Sequence, residues 1–242
     1  MSPRYPLFPQ KLKTILIRET IDFIKNLILN FSEKPFEEDV NLNLIDQSVN
    51  QENQCQRIVF NSSGSIMVST NEKIIKIWNF NNGKIELLQN LEQHNGWFNC
   101  LIYSRLQDAF LSGSDDATIR IWKLKNNNSW ISSLSYQQHT GRVQCLILNQ
   151  NEDQLFSGGQ DNSIKVWQLD FSNDKLIYQY SLDKHKCFVL SLSLNQSESL
   201  LVSCGDGDKE IIIWERGIQN GVQIYCQIIQ QLQWNQTKVY KG

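Results

Sequence analysis

HTGRVQCLILNQNEDQLFSGGQDNSIKVW, residues 139 to 167, opens on a histidine, passes Asp161 and closes on Trp167. The same order returns on either side of it. HNGWFNCLIYSRLQDAFLSGSDDATIRIW runs from His94 through Asp116 to Trp122, and HKCFVLSLSLNQSESLLVSCGDGDKEIIIW runs from His185 through Asp208 to Trp214. Histidine and aspartate stand 22, 22 and 23 residues apart, aspartate and tryptophan six in every copy, and successive histidines 45 and 46. All three histidines of the chain are spent this way. Self-similarity at a fixed period of this length marks a repeat architecture, in which each unit is one supersecondary block that buries its apolar face against the next.

A fourth, degraded copy lies upstream. RIVFNSSGSIMVSTNEKIIKIW ends on Trp78, 44 residues before Trp122, with Glu72 at the aspartate position and no histidine. Within each copy apolar and polar residues alternate, as in Ile119 and Ile121 about Arg120 or Ile164 and Val166 about Lys165, with turn clusters such as SDDA and GQDN between the runs. Period-two alternation broken by tight turns predicts short antiparallel strands joined by hairpins. Three strands fall between each histidine and its tryptophan. A fourth follows in KIELLQN, SWISSLSY, KLIYQYS and VQIYCQII. Four strands per unit is the make-up of a propeller blade.

On these residues the stretch from about 54 to 233 resembles the WD40 repeats, the β-propeller family of G-protein beta-like proteins, whose units run about 40–45 residues with four strands and a G-H…W-D signature. The sequence departs from that signature at Gln93, Gln138 and Lys184 before the histidines, and at Asn79, Lys123, Gln168 and Glu215 after the tryptophans. The resemblance implies an all-β fold of about four blades, at 54–93, 94–138, 139–184 and 185–233. It also implies a buried relay in each full blade: Trp122, Ser112, His94 and Asp116; Trp167, Ser157, His139 and Asp161; Trp214, Ser203, His185 and Asp208. The chemistry suits such a relay. An indole has one donor, a hydroxyl accepts it and donates onward, a neutral imidazole has one donor and one acceptor, and a carboxylate only accepts.

Serine, histidine and aspartate are also the parts of a hydrolase triad. A hydroxyl engaged by an indole at the same place in three units is a packing device, so no catalytic residue is expected. No P-loop, dinucleotide fingerprint or unrepeated histidine is present. The six cysteines form no C-x-x-C pair, and Cys100 and Cys145 share one inward strand position, so they read as small buried hydrophobes and neither a metal nor a cofactor is expected. With 242 residues, 40% hydrophobic content and a formal charge of −2, the chain can bury a core and has no basic field to attract nucleic acid. No apolar run is long enough to span a membrane. The expected setting is soluble and cytoplasmic.

Residues 1–53 differ in kind. Ile17, Ile21, Ile24, Ile28 and Phe31 recur at three- and four-residue steps, which predicts an amphipathic helix over 11–31, opposite Arg18, Asp22 and Lys25. The run VNLNLI at 40–45 alternates and is a candidate lone strand, while 234–242 reads as a tail or the start of a further blade. About four blades would form an open arc or a ring completed by a second chain.

Function in such a scaffold lies on its rim. By resemblance, the candidate partner-binding face comprises Trp97, Asn99 and Asp115; Arg142, Gln144 and Gln160; and Phe188, Leu190 and Gly207. Aromatic and arginine side chains dominate interface hot spots, which singles out Trp97, Arg142 and Phe188. The expected function is a non-catalytic interaction scaffold for proteins or peptides. The alternative is a partial copy of a longer protein without an independent role.

Overall fold

The computed structural model describes residues 54–125, 128–206, 211–219 and 222–228. The helix expected at 11–31, the run at 40–45, Gly207, Asp208 and the stretch 234–242 lie outside them. The described chain is all β, in four antiparallel sheets that follow sequence order. The first holds β1 (Ile58–Phe60), β2 (Ile66–Asn71), β3 (Ile74–Asn81) and β4 (Lys84–Leu91). The second holds β5 (Phe98–Tyr103), β6 (Ala109–Ser114), β7 (Thr118–Leu124), β8 (Trp130–Ser132) and β9 (Tyr136–Gln137). The third holds β10 (Val143–Leu148), β11 (Gln154–Gly159), β12 (Ile164–Asp170) and β13 (Lys175–Leu182). The fourth holds β14 (Val189–Leu194), β15 (Leu200–Gly205), β16 (Ile211–Gln219) and β17 (Val222–Ile228).

Several of the hairpins close on a left-handed residue. Ala117 (φ 64°) and Asn162 (φ 62°) turn the second strand into the third, immediately after Asp116 and Asp161. Glu152 and Glu198 (both φ 56°) turn the first strand into the second. Left-handed φ is costly for a residue with a Cβ and persists only where the surroundings hold it.

The core is layered between sheets. Val68, Ile75, Ile77 and Leu91 of the first sheet meet Phe98, Tyr103, Phe110, Trp122 and Trp130 of the second. Leu111, Ile119 and Ile121 of the second meet Val143, Leu148, Leu155 and Trp167 of the third. Phe156, Ile164, Val166 and Leu182 of the third meet Val189, Leu201, Ile212 and Trp214 of the fourth. The alternation read from the sequence therefore has two apolar faces, one toward each neighbouring sheet. β5, β10 and β14 lie side by side as the inner strands, so the sheets radiate in the manner of propeller blades without closing a ring. The approach is close. A Cβ on Gly113 would stand 2.6 Å from Cys100 Sγ and from Val143 Cγ1, and one on Gly158 would stand 2.6 Å from Cys145 Sγ and from Val189 Cγ1.

One outer strand differs from expectation. SWISSLSY divides into β8 and β9, both paired with β7. Ser133 causes the break: its Oγ accepts from Ile121 N at 3.0 Å, and Arg120 Nη1 bonds Ser132 Oγ at 3.1 Å and Ser133 O at 2.9 Å. Side chains thus meet the ladder's bonding groups where strand pairing would otherwise continue, leaving Leu134 exposed in the gap.

Candidate functional site

Two constellations recur from blade to blade, one buried and one on the rim. In the second sheet, Trp122 Nε1 donates to Ser112 Oγ at 2.8 Å, Ser112 Oγ lies 2.8 Å from His94 Nε2, and His94 Nδ1 lies 2.8 Å from Asp116 Oδ2. Asn95 N at 2.9 Å and Thr118 Oγ1 at 2.6 Å also donate to that carboxylate. The third sheet repeats it. Trp167 Nε1 to Ser157 Oγ is 2.9 Å, Ser157 Oγ to His139 Nε2 is 2.7 Å, and His139 Nδ1 to Asp161 Oδ2 is 2.9 Å. In the fourth, Trp214 Nε1 donates to Ser203 Oγ at 2.8 Å and Ser203 Oγ stands 2.7 Å from His185 Nε2. The first sheet keeps Trp78 Nε1 on Ser69 Oγ at 2.8 Å, without a histidine.

The bonding order fixes the protons. Each serine oxygen takes the indole hydrogen and gives its own to Nε2, so the neutral imidazole of His94 or His139 carries its proton on Nδ1 and donates it to the aspartate. Burial pushes His94 below its usual 6.5, against the opposing pull of Asp116. Burial also pushes Asp116 and Asp161 upward, but the bonds from His94 and Thr118, and from His139 and Ser163, outweigh it and hold both carboxyls well below their usual 3.8. A nucleophile needs a free hydroxyl beside donors for an oxyanion. Ser112 and Ser157 are instead fully buried and engaged at both ends, so the relay ties the loops entering the second and third sheets to their hairpins.

These shifts make stability fall on acidification. His94 stays neutral in the fold below the pH at which the unfolded chain takes up its proton, so loss begins as pH drops through about 6.5. Asp116 and Asp161 contribute in full above about pH 4 and lose that contribution below it. Urea midpoints should therefore decline between about pH 7.5 and 5.5 and again below pH 4. A midpoint that rises on acidification would contradict the relay as drawn.

The rim constellation sits where the inner strands begin. Trp97, Arg142 and Phe188 immediately precede β5, β10 and β14, and each main-chain carbonyl accepts a backbone N–H from the next hairpin: Asp115 N at 2.9 Å, Gln160 N at 2.8 Å and Asp206 N at 2.8 Å. Two residues further on, Asn99, Gln144 and Leu190 are the unpaired residues of β-bulges, where the register skips between Phe98 and Cys100, Val143 and Cys145, and Val189 and Ser191. A bulge re-aims the extra side chain. Trp97 is 41%, Phe188 40% and Leu190 45% exposed. Asp115 joins two blades, accepting from Asn99 Nδ2 at 2.8 Å and pairing with Arg142 Nη1 at 3.2 Å. Asn99 Nδ2 also reaches Val143 O at 3.2 Å. Gln144 and Gln160 are half-buried beside this group.

Among the described residues no histidine, cysteine or acidic cluster could hold a metal, and no helix is long and apolar enough to cross a membrane. Burial pushes the Cys145 thiol up to about 12 and raises Cys100 as well. Neither is a poised nucleophile. Sequence reading missed two carboxylate contacts between blades, from the buried Glu152 and the half-buried Glu198. The available signal was the recurrence of Asn149-Gln150-x-Glu152 as Asn195-Gln196-x-Glu198, 46 residues on.

Repeated antiparallel sheets of four or five strands, sequential packing and the tryptophan–serine–histidine relay define a β-propeller-type repeat protein. The profile of the WD domain, G-beta repeat, matches residues 85–123, 128–168 and 176–215, and the chain belongs to the WD40-repeat family. The solved structure of U3-55K aligns with a TM-score of 0.57 at 20% identity, over 73% of this chain and 53% of that one. At that identity the likeness is one of fold, and the chain spans about half the length of that protein. No curated protein sequence matches the chain.

Proposed function

We propose that the chain is a non-catalytic scaffold, soluble and cytoplasmic, that binds a protein or peptide on the face carrying Trp97, Arg142, Phe188 and Leu190. The observation that supports this reading most is the convergence of two exposed aromatic rings and a guanidinium at one rim position of three successive blades. Such side chains supply contact area at modest entropic cost and dominate interface hot spots. Asn99, Asp115, Gln144 and Gln160 complete the face, and the Asn99–Asp115–Arg142 bonds orient it before binding.

A second polypeptide completing the ring is a finer reading with its own observation. Ile58 and Phe60 on β1 are 54% and 49% exposed. In the second sheet the corresponding Leu101 and Tyr103 pack against the preceding sheet. The alternative of a partial copy of a longer WD40 protein is compatible with the 53% coverage of U3-55K.

The test is recovery of the tagged full-length chain from its native cells under mild conditions, beside a Trp97→Ala, Arg142→Ala, Phe188→Ala variant. Companions in fixed stoichiometry that disappear in the variant are the expected result. Companions that persist would move the contact off this face, and a chain recovered alone would favour the partial-copy reading.

A further inference from the structure

At the opposite end of the inner strands, the turns into the second strand at 104–108, 149–153 and 195–199 of the second, third and fourth sheets share one closing bond, from Ser104 N to Ala109 O at 2.8 Å, Asn149 N to Gln154 O at 3.1 Å and Asn195 N to Leu200 O at 3.0 Å. Two of these turns hold a carboxylate sent back by the following blade. Glu152 of the third sheet accepts from Arg105 N at 2.6 Å and from Ser104 Oγ of the second. Glu198 of the fourth accepts from Gln150 N of the third. The third turn has the same internal bonds as the 149–153 turn. Leu200 N donates to Asn195 Oδ1 at 2.8 Å and Glu198 N to Asn195 O at 2.9 Å, as Gln154 N does to Asn149 Oδ1 at 2.9 Å and Glu152 N to Asn149 O at 3.2 Å. Yet Gln196 N–H, the counterpart of Arg105 N–H and Gln150 N–H, donates to no acceptor among the described residues.

We infer that the Gln196 turn is a carboxylate-binding notch, which takes a glutamate side chain from a partner polypeptide. The molecule carries its own templates for the complex, since a glutamate carboxylate already seats on the equivalent amide twice. A bond from a backbone N–H to a carboxylate is charge-assisted, and main-chain amides that point outward form recurrent anion sites. The notch is held in shape, because Gln150 Nε2 donates to Gln196 O at 2.5 Å. It also borders a cavity of about 390 Å³, lined by Arg105, Gln150, Gln196, Ile147 and Leu194 together with the already bonded Glu152 and Glu198, which gives room to the apolar part of an acidic segment. Both internal carboxylates are presented from left-handed turn residues. The partner segment is accordingly a turn that bears glutamate. This site lies at the other end of the inner strands from the Trp97 face and stands or falls without it.

The test is amide NMR on the ¹⁵N-labelled full chain, titrated with N-acetyl-glutamate N-methylamide and, in parallel, with its neutral glutamine counterpart. A saturable downfield displacement of the Gln196 amide by the glutamate probe alone is expected, with Arg105 and Gln150 amides unmoved because Glu152 and Glu198 already occupy them. In Glu198→Gln the Gln150 amide should become responsive too, a second notch opened by removing its resident charge. Equal responses to both probes, or a Gln196 amide that stays fixed in the wild-type chain, would overturn the assignment.

Discussion

Trp167→Ala is expected to lower the unfolding free energy by about 3–5 kcal/mol, the range for emptying a large buried aromatic site. Trp167 is 1% exposed and sits between the second and third sheets, with Leu111, Ile119 and Ile121 in the same core layer and Tyr178 edge-on at a ring distance of 5.9 Å. Its removal opens a cavity at a sheet-to-sheet contact and leaves Ser157 Oγ without its indole donor. The strands around it are tied into ladders on both sides, so the site cannot collapse freely. The check is the urea midpoint at constant slope, with Trp97→Ala as the matched control. Trp97 lies on the rim, and loss of an exposed side chain away from such features is usually worth within about ±0.5 kcal/mol. Equal effects at the two tryptophans would contradict the inter-sheet core described here.

Ser157→Ala is the second large effect, although it deletes one oxygen. That oxygen serves two buried partners, so its loss leaves the Trp167 N–H and His139 Nε2 without their bonds, at about 1–3 kcal/mol for each orphaned group. A double-mutant cycle with Trp167→Phe separates the relay from simple packing. Trp167→Phe removes the indole donor, so it should cost less in the Ser157→Ala background than alone. Strict additivity of the two changes would mean that serine and tryptophan do not act as one network.

The resemblance to the WD40 repeats named the relay residues, and the repeat supplied their spacing. Once the repeat was aligned, Ser112, His94 and Trp122 had to recur at constant offsets, and their third-blade counterparts followed at the same register. The resemblance likewise singled out Trp97, Arg142 and Phe188 as candidate contact positions, each three residues after its histidine. Local periodicity carried less elsewhere. SWISSLSY alternates like a strand, yet Ser133 and Arg120 take up the bonds that would have kept it whole. Glu152 and Glu198 look like ordinary solvated turn residues, because their partners lie 47 and 48 residues away in the preceding blade.

The sequence by itself determined the repeat, the order of strands and the family, since these rest on spacing that recurs from unit to unit, and the relay was implied by the family resemblance. Tertiary structure decided what depends on two blades meeting. It bulged the inner strands at Asn99, Gln144 and Leu190, joined Asn99, Asp115 and Arg142 across a blade boundary, and placed glutamates on neighbouring turns. The physical reason is that hydrogen-bonding groups at a sheet boundary are satisfied by whichever partner the packing brings within reach. That choice is made between blades, where no pattern within one blade records it.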